Sequence, residues 1–113
     1  MSDPVTRFHL TYADRPVGRL ALLTMDDIDV VDMNEAFAVQ CVTFLDAFDL
    51  PVDSPKVNPY GGAIAMGHPL AFSGARLAMQ LATYFERTPD AQRGITTMCV
   101  GLGMGVAVLW ERA

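Results

Sequence analysis

The sequence has little charge and no cluster of lysine and arginine. Charged residues make up 19% of its 113 positions, and the formal net charge is −5. Because phosphate groups attract clustered basic side chains, this composition argues against nucleic acid or an anionic membrane as the main ligand. The chain also lacks an apolar run long enough to cross a bilayer, and it does not open on a basic segment followed by an apolar one. We therefore expect a cytoplasmic protein that binds neither nucleic acid nor membrane.

Cysteine is scarce, and metal-binding patterns are missing. The two cysteines, Cys41 and Cys99, can in principle form one disulfide, but free thiols are expected in a reducing compartment. No spacing of histidine, cysteine or carboxylate residues matches a metal site, and there is no glycine loop of the P-loop kind. We predict that the chain holds no metal.

Apolar residues, in contrast, are abundant. At 51% of the chain they suffice for the core of one domain and for a surface that packs against a partner. Strand and helix patterns alternate, which predicts a mixed α/β layer fold. In chain order the predicted elements are a strand or extended tail over 5–12, a short helix over 17–23, a strand over 28–33, a helix over 35–48, a helix over 70–87, and strands over 95–99 and 105–110.

Three residues on the two long helices carry specific expectations. Asn34 is placed to cap the helix over 35–48. Cys41 falls on the apolar stripe of that helix, which is typical of a small core residue. Gly74 lies inside the second helix, where it costs about 1 kcal/mol relative to alanine, so we expect another group to pack closely there.

Residues 57–76, VNPYGGAIAMGHPLAFSGAR, form the stretch around which the chain is organised. The pattern indicates a strand end, a tight turn, a small apolar segment and then His68 just before Pro69, which can open a helix. A side chain at such a point can face a pocket while the backbone behind it is rigid. The pattern therefore indicates a chemical site at His68. The alternative is a structural role, which is the more common one for a lone histidine. The other histidine, His9, is interpreted as a surface imidazole.

Gly101, Gly103 and Gly105 recur at every second position. If this segment is extended, all three face the same way and expose backbone N–H groups to whatever lies against them. That arrangement suits an oxyanion site. A wide hairpin bend is the alternative.

The residue types permit proton transfer and oxyanion binding. An imidazole such as His68 can take a proton from a thiol, a thiol such as Cys99 can shuttle a proton, and a carboxamide such as Asn34 can hold a water or an oxyanion. All three lie at the ends of successive elements, where sites in open α/β folds assemble. Each also has a structural interpretation, as a helix cap for Asn34 and a core residue for Cys99.

Three motifs together resemble the C-terminal half of the thiolases, the acetyl-CoA acetyltransferases and 3-ketoacyl-CoA thiolases. They are NEAFA at 34–38, NPYGGAIAMGHPLAFSGAR at 58–76 and CVGLGMG at 99–105. They occur in the family's order and at about its spacings. The resemblance covers residues 14–113, whereas residues 1–13 match weakly. It implies a thiolase-like C-terminal domain with a five-stranded mixed sheet and helices on both faces, and an unusually apolar surface near residues 63–66.

The resemblance also implies roles for the matching residues. His68 would activate the nucleophile and help bind the thioester oxygen, and Cys99 would be the acid/base. Asn34 would hold the water that completes one oxyanion hole, and the Gly101 N–H would contribute to the second. The substrates would be coenzyme A and acyl-CoA, with no covalently bound cofactor. Ala71 and Phe72 depart from the family's small residues, which puts the choice of acyl substrate in doubt.

The family's N-terminal half, which carries its nucleophilic cysteine, has no counterpart here. Cys41 cannot replace it, because it lies roughly 10 Å along the helix from Asn34. We therefore expect the chain alone to be inactive. The leading hypothesis is the catalytic C-terminal half of an oligomeric acyl-CoA acyltransferase whose partner is an N-terminal thiolase half or a full-length thiolase. The alternative is a non-catalytic interaction module of thiolase fold, or a truncated gene product.

Overall fold

The computed structural model describes residues 23–113, together with the backbone of 13–15 and 18–20. Strands β1 (Ala13–Arg15) and β2 (Gly18–Leu20) pair antiparallel. The prediction of a short helix over 17–23 is therefore wrong at 18–20. Gly18 is a poor helix former, and pairing of β1 with β2 satisfies the backbone hydrogen bonds instead. The strand or tail expected over 5–12 lies outside the described residues.

The main sheet is mixed. Strand β3 (Val30–Met33) pairs in parallel with β4 (Arg93–Gly101), and β4 pairs antiparallel with β5 (Met104–Glu111). Across the described ranges this sheet has three strands, and β1–β2 forms a separate ladder, so the expected five-stranded sheet is corrected to three. On its other edge β3 meets residues 56–58 through a single bridge between Val31 and Val57, which is too short to form a strand.

Helices cover both faces of the sheet, as expected for this α/β fold. They are α1 (Ala38–Ala47), the single turn α2 (Ala63–Met66) and α3 (Leu70–Arg87). Alternate residues of β3 point to opposite sides. Val31 belongs to a cluster that includes Phe44 of α1, whereas Val30 lies beside Leu81 of α3. Helix α3 has the predicted bounds, but α1 begins three residues later than predicted, so Asn34 is not its cap.

Residues 101–104 form the turn between β4 and β5, so the prediction of an extended segment with glycines facing one way is wrong. Gly101, Leu102 and Gly103 all have positive φ, at 98°, 51° and 76°. Positive φ at both central residues, Leu102 and Gly103, is what a tight two-residue hairpin requires, and glycine adopts it without strain. The segment is therefore a tight hairpin and not an extended strip whose glycines face one way.

Much of the apolar surface is exposed to solvent. Ile64 and Met66 are 66% and 49% exposed, which confirms the expected apolar surface near α2. A larger exposed area lies on the hairpin and on the outer strand β5, where no residue is buried. Its large apolar residues are Val100, Leu102, Met104, Val106, Val108, Leu109 and Trp110. None of the helices in the described part is long and apolar enough to span a bilayer.

Alanine substitutions at two glycines should change the free energy of unfolding in opposite directions. A Cβ added at Gly94 would lie 2.5 Å from Leu81 and 2.9 Å from Val30, both in the core, so Gly94→Ala should lower the free energy of unfolding by about 1–3 kcal/mol. At Gly74 the Cβ would meet the Met98 sulfur at 3.5 Å, an ordinary contact, so Met98 packs beside this glycine and still leaves room for a methyl group. Gly74→Ala should therefore stabilise the chain by up to about 1 kcal/mol. Urea unfolding of the two variants tests this, and destabilisation by both would contradict it.

Candidate active site

Asn34 lies at the carboxyl end of the parallel strand pair. It directly follows β3, and its backbone N–H still donates to Thr97 O on β4 at 2.8 Å. The residue is 3% exposed. Because its side chain reaches a distant partner, the local preference of asparagine for a helix start is not satisfied here.

That partner is His68. Its Nε2 lies 3.2 Å from Asn34 Nδ2, and its Nδ1 lies 2.6 Å from Ser73 Oγ. The Ser73 hydroxyl is fully buried and donates to Pro69 O at 3.1 Å. The half-buried imidazole is thus held at both ring nitrogens. The structure brings two of the predicted site residues, 34 positions apart, into direct contact.

Glu35 holds the backbone around this pair. Its Oε1 accepts from Asn58 Nδ2 at 2.9 Å, and its Oε2 accepts from the Ile64 backbone N–H at 2.8 Å. Asn58 Oδ1 in turn accepts from the Met33 N–H at 2.6 Å. A Cβ at Gly62 would overlap the Glu35 carboxylate, so this position must be glycine for the carboxylate to approach the start of α2. Glu35 therefore connects the end of β3 to the segment that precedes His68.

Cys99 and Gly101 line a groove with Asn34. The groove has a volume of about 730 Å³ and lies between α1 and the β4–β5 hairpin. Among residues 23–113, neither His68 nor Cys41 lines it, and no hydrogen bond joins His68 to Cys99. The imidazole is therefore linked to the groove through Asn34.

Ala71 and Phe72 do not line this groove. Phe72 is half-exposed and contributes instead to a separate groove of about 220 Å³ on α3, together with Tyr60 and Arg76. The two departures from the family pattern thus lie outside the groove that Cys99 lines.

Two ionisable groups have altered acidity. Burial raises the pKa of Asp32 from 3.8 to about 7; the Arg76 charge opposes this rise and the Glu35 charge adds to it. Burial also raises the pKa of the Cys41 thiol, with a further contribution from Glu35. Since a nucleophilic cysteine needs a lowered pKa, Cys41 is poorly suited to that role. Both cysteines are free thiols, as expected.

Four polar residues that build the site were not predicted from the sequence. Glu35, Asn58, Ser73 and Arg76 lie inside the quoted motifs, and each bonds to the backbone or side chain of another site segment. The available signal was spacing: Ser73 and Arg76 are three residues apart on α3, so they lie on the same helix face.

Comparison with known proteins agrees with these motifs. A family model described as "Thiolase, C-terminal domain" matches residues 8–112. A 3-ketoacyl-CoA thiolase of Shewanella loihica is 54% identical over 109 residues, which cover 90% of this chain and 27% of that protein. The 3-oxoadipyl-CoA/3-oxo-5,6-dehydrosuberyl-CoA thiolase of Escherichia coli strain K12 is 47% identical over 100 residues, covering 88% and 25%. The chain spans about a quarter of the length of these curated relatives, and it belongs to the thiolase family through its C-terminal domain.

Proposed function

We propose that this chain is the C-terminal catalytic part of an acyl-CoA acyltransferase, which performs thiolysis of 3-ketoacyl-CoA or, in the opposite direction, Claisen condensation of acyl-CoA. The observation that carries the proposal is the contact between His68 Nε2 and Asn34 Nδ2, which are 3.2 Å apart. The other ring nitrogen, Nδ1, is hydrogen-bonded to Ser73 Oγ. A partly buried structural histidine also needs hydrogen-bond partners for its ring nitrogens. A general base with an adjacent oxyanion site needs, in addition, a polar group beside the ring and a fixed ring orientation, and Asn34 and Ser73 supply both.

The proposed roles divide among four residues. His68 accepts the proton of the attacking thiol at Nε2. In the protonated form its Nε2–H binds the thioester oxygen, together with a water held by Asn34. Cys99 moves the α-proton or protonates the leaving thiolate. The N–H of Gly101 contributes to a second oxyanion hole. Each preorganised donor of this kind stabilises developing negative charge by about 3 kcal/mol.

The acyl-carrying cysteine comes, in this proposal, from an N-terminal thiolase half, on the same longer polypeptide or on a separate chain. We place the contact with this N-terminal half on the exposed apolar residues of β5. Coenzyme A and acyl-CoA are the substrates. Oligomeric assembly and the cytoplasmic location stay predictions.

The test is reconstitution. The chain is co-expressed with the N-terminal half of a 3-ketoacyl-CoA thiolase, and thiolysis of acetoacetyl-CoA by coenzyme A is measured. The proposal expects a co-purifying, active complex, whereas each part alone is inactive. A stable complex without activity would contradict the catalytic assignment.

A second candidate is a non-catalytic module that docks onto a full-length thiolase. The apolar surface of β5 favours it equally, because it requires a partner and not chemistry. Docking onto intact thiolase without any change in its rate, combined with an inactive reconstituted complex, would support the module.

A further inference from the structure

Arg76 is a buried arginine that contacts both segments of the His68 site. It lies one turn after Ser73 on α3 and is 8% exposed. Its Nη1 donates to Gly67 O at 2.9 Å, on the residue just before His68, and its Nη2 donates to Asn34 Oδ1 at 3.4 Å. A single guanidinium thus reaches the backbone before the imidazole and the carboxamide beside it.

The chemistry of these groups leaves one way to arrange the hydrogens. Arginine only donates, so the atom of Asn34 that faces it must be the carbonyl oxygen, and Nδ2 must face His68. Because Nδ2 is a donor, His68 Nε2 must accept. The ring proton is then on Nδ1, which donates to Ser73 Oγ, and the Ser73 hydroxyl donates to Pro69 O.

Other assignments fail at a specific contact. A flipped Asn34 amide would set its NH₂ against the Arg76 guanidinium. An imidazole protonated at Nε2, in either the neutral or the cationic form, would set N–H against the Asn34 NH₂. The donor-only arginine at one end and the acceptor-only carbonyl of Pro69 at the other therefore determine the direction of every bond between them.

We propose that Arg76 is a positioning residue that orients the Asn34 amide and thereby holds His68 in the Nδ1-protonated tautomer, with the lone pair on Nε2. This tautomer is a property of the chain itself. Its consequence for catalysis rests on the proposed function. There, the thiol of coenzyme A takes the place of the Asn34 N–H at the Nε2 lone pair and gives its proton to Nε2. The S–H bond breaks and an N–H bond forms, which leaves a thiolate and an imidazolium whose new N–H no longer faces the amide. A proton already on Nε2 would prevent that step.

Nitrogen-15 NMR of the histidine rings tests the proposal without a partner or a substrate. The full chain is labelled at histidine, its folding is checked by amide dispersion, and ring nitrogens are observed at pH 8.5. His9→Gln assigns the signals, because the chain has two histidines. We expect the Nδ1–H tautomer of His68 in roughly tenfold excess or more, since the alternatives place two donors against each other. A wild-type His68 protonated at Nε2 would overturn the proposal.

Variants at position 76 separate positioning from general support. Arg76→Met removes the donors, and the tautomer ratio should fall towards unity. Arg76→Lys retains a donor and should recover a clear excess of Nδ1–H. Arg87→Met is the matched control, because Arg87 is an exposed arginine at the end of the same helix, stacked over Tyr60, and the ratio should not change.

A second variant, which also replaces Asp32, tests the proposal if Arg76→Met does not fold. The charge of Arg76 lowers the pKa of Asp32, and Arg76→Met would leave this buried carboxyl without that cation. The double variant Asp32→Asn/Arg76→Met removes both charges. A folded variant without Arg76 that keeps the full Nδ1–H excess would overturn the positioning role. A normal tautomer effect in a chain that never gives an active complex would reject the proposed function and leave the role of Arg76 standing.

Discussion

Replacing His68 by alanine is expected to slow thiolysis by the reconstituted enzyme by about 10²- to 10⁴-fold. The variant removes the proposed base and one side of the proposed oxyanion site, both of which depend on a ring held at 3.2 Å from Asn34 and 2.6 Å from Ser73. Because proton transfer takes place in the transition state, the loss should fall mainly on kcat and much less on KM. Steady-state kinetics with acetoacetyl-CoA and coenzyme A measure both.

Controls of the same residue type are present in the chain. His9→Ala removes the other imidazole and should leave the rate unchanged. Cys99→Ala should lower the rate severely, whereas Cys41→Ala should not, because Cys41 packs beside the core cluster and does not line the groove. A correctly assembled His68→Ala complex with the wild-type rate would reject the assigned role.

The folded chain should lose stability as the pH rises from about 4 to about 7. Asp32 is 3% exposed, and burial raises its pKa from 3.8 to about 7 against the opposing charge of Arg76 and with the added effect of Glu35. Between these pH values the folded chain keeps a proton that the unfolded chain has released. The stabilisation is therefore fully present below the unfolded pKa and disappears as the pH passes the folded pKa. At 1.36 kcal/mol per pKa unit, the whole effect is about 4 kcal/mol.

Asp32→Asn should remove this pH dependence. The gain in unfolding free energy of the variant over the wild type should be roughly 3 kcal/mol larger at pH 8 than at pH 5. Asp46→Asn, on the exposed side of α1, is the control and should show no such difference. Urea unfolding of all three chains at both pH values gives the comparison. Equal gains at pH 5 and pH 8 would show that Asp32 is already ionised in the folded chain at pH 5.

The elements that the sequence predicted well are those with a strong local pattern. Helix α3 has the predicted bounds of Leu70 and Arg87 because its apolar residues recur at helical spacing over 18 residues. Strands β4 and β5 were located correctly and proved longer than predicted. The motifs also named His68 and Asn34, which the structure brings into contact.

Two of the wrong predictions share a physical cause, which is that long-range contacts outweighed local preference. Asn34 is a good helix cap in isolation, but its amide bonds to His68 and Arg76 instead. The alternation of Gly101, Gly103 and Gly105 is compatible with a strand or a turn, and pairing of β4 with β5 selects the turn. Spacing places Arg76 on the helix face of Ser73, but its importance depends on which carbonyl groups the fold places around it.

A double-mutant cycle on Asn34 and His68 tests the central claim most directly. In the reconstituted complex, the thiolysis rates of Asn34→Ala, His68→Ala and the double variant are compared with the wild type. If the two side chains form one catalytic unit, the double variant should be about as slow as the slower single variant. Losses that multiply would show that Asn34 and His68 act independently and would contradict the account.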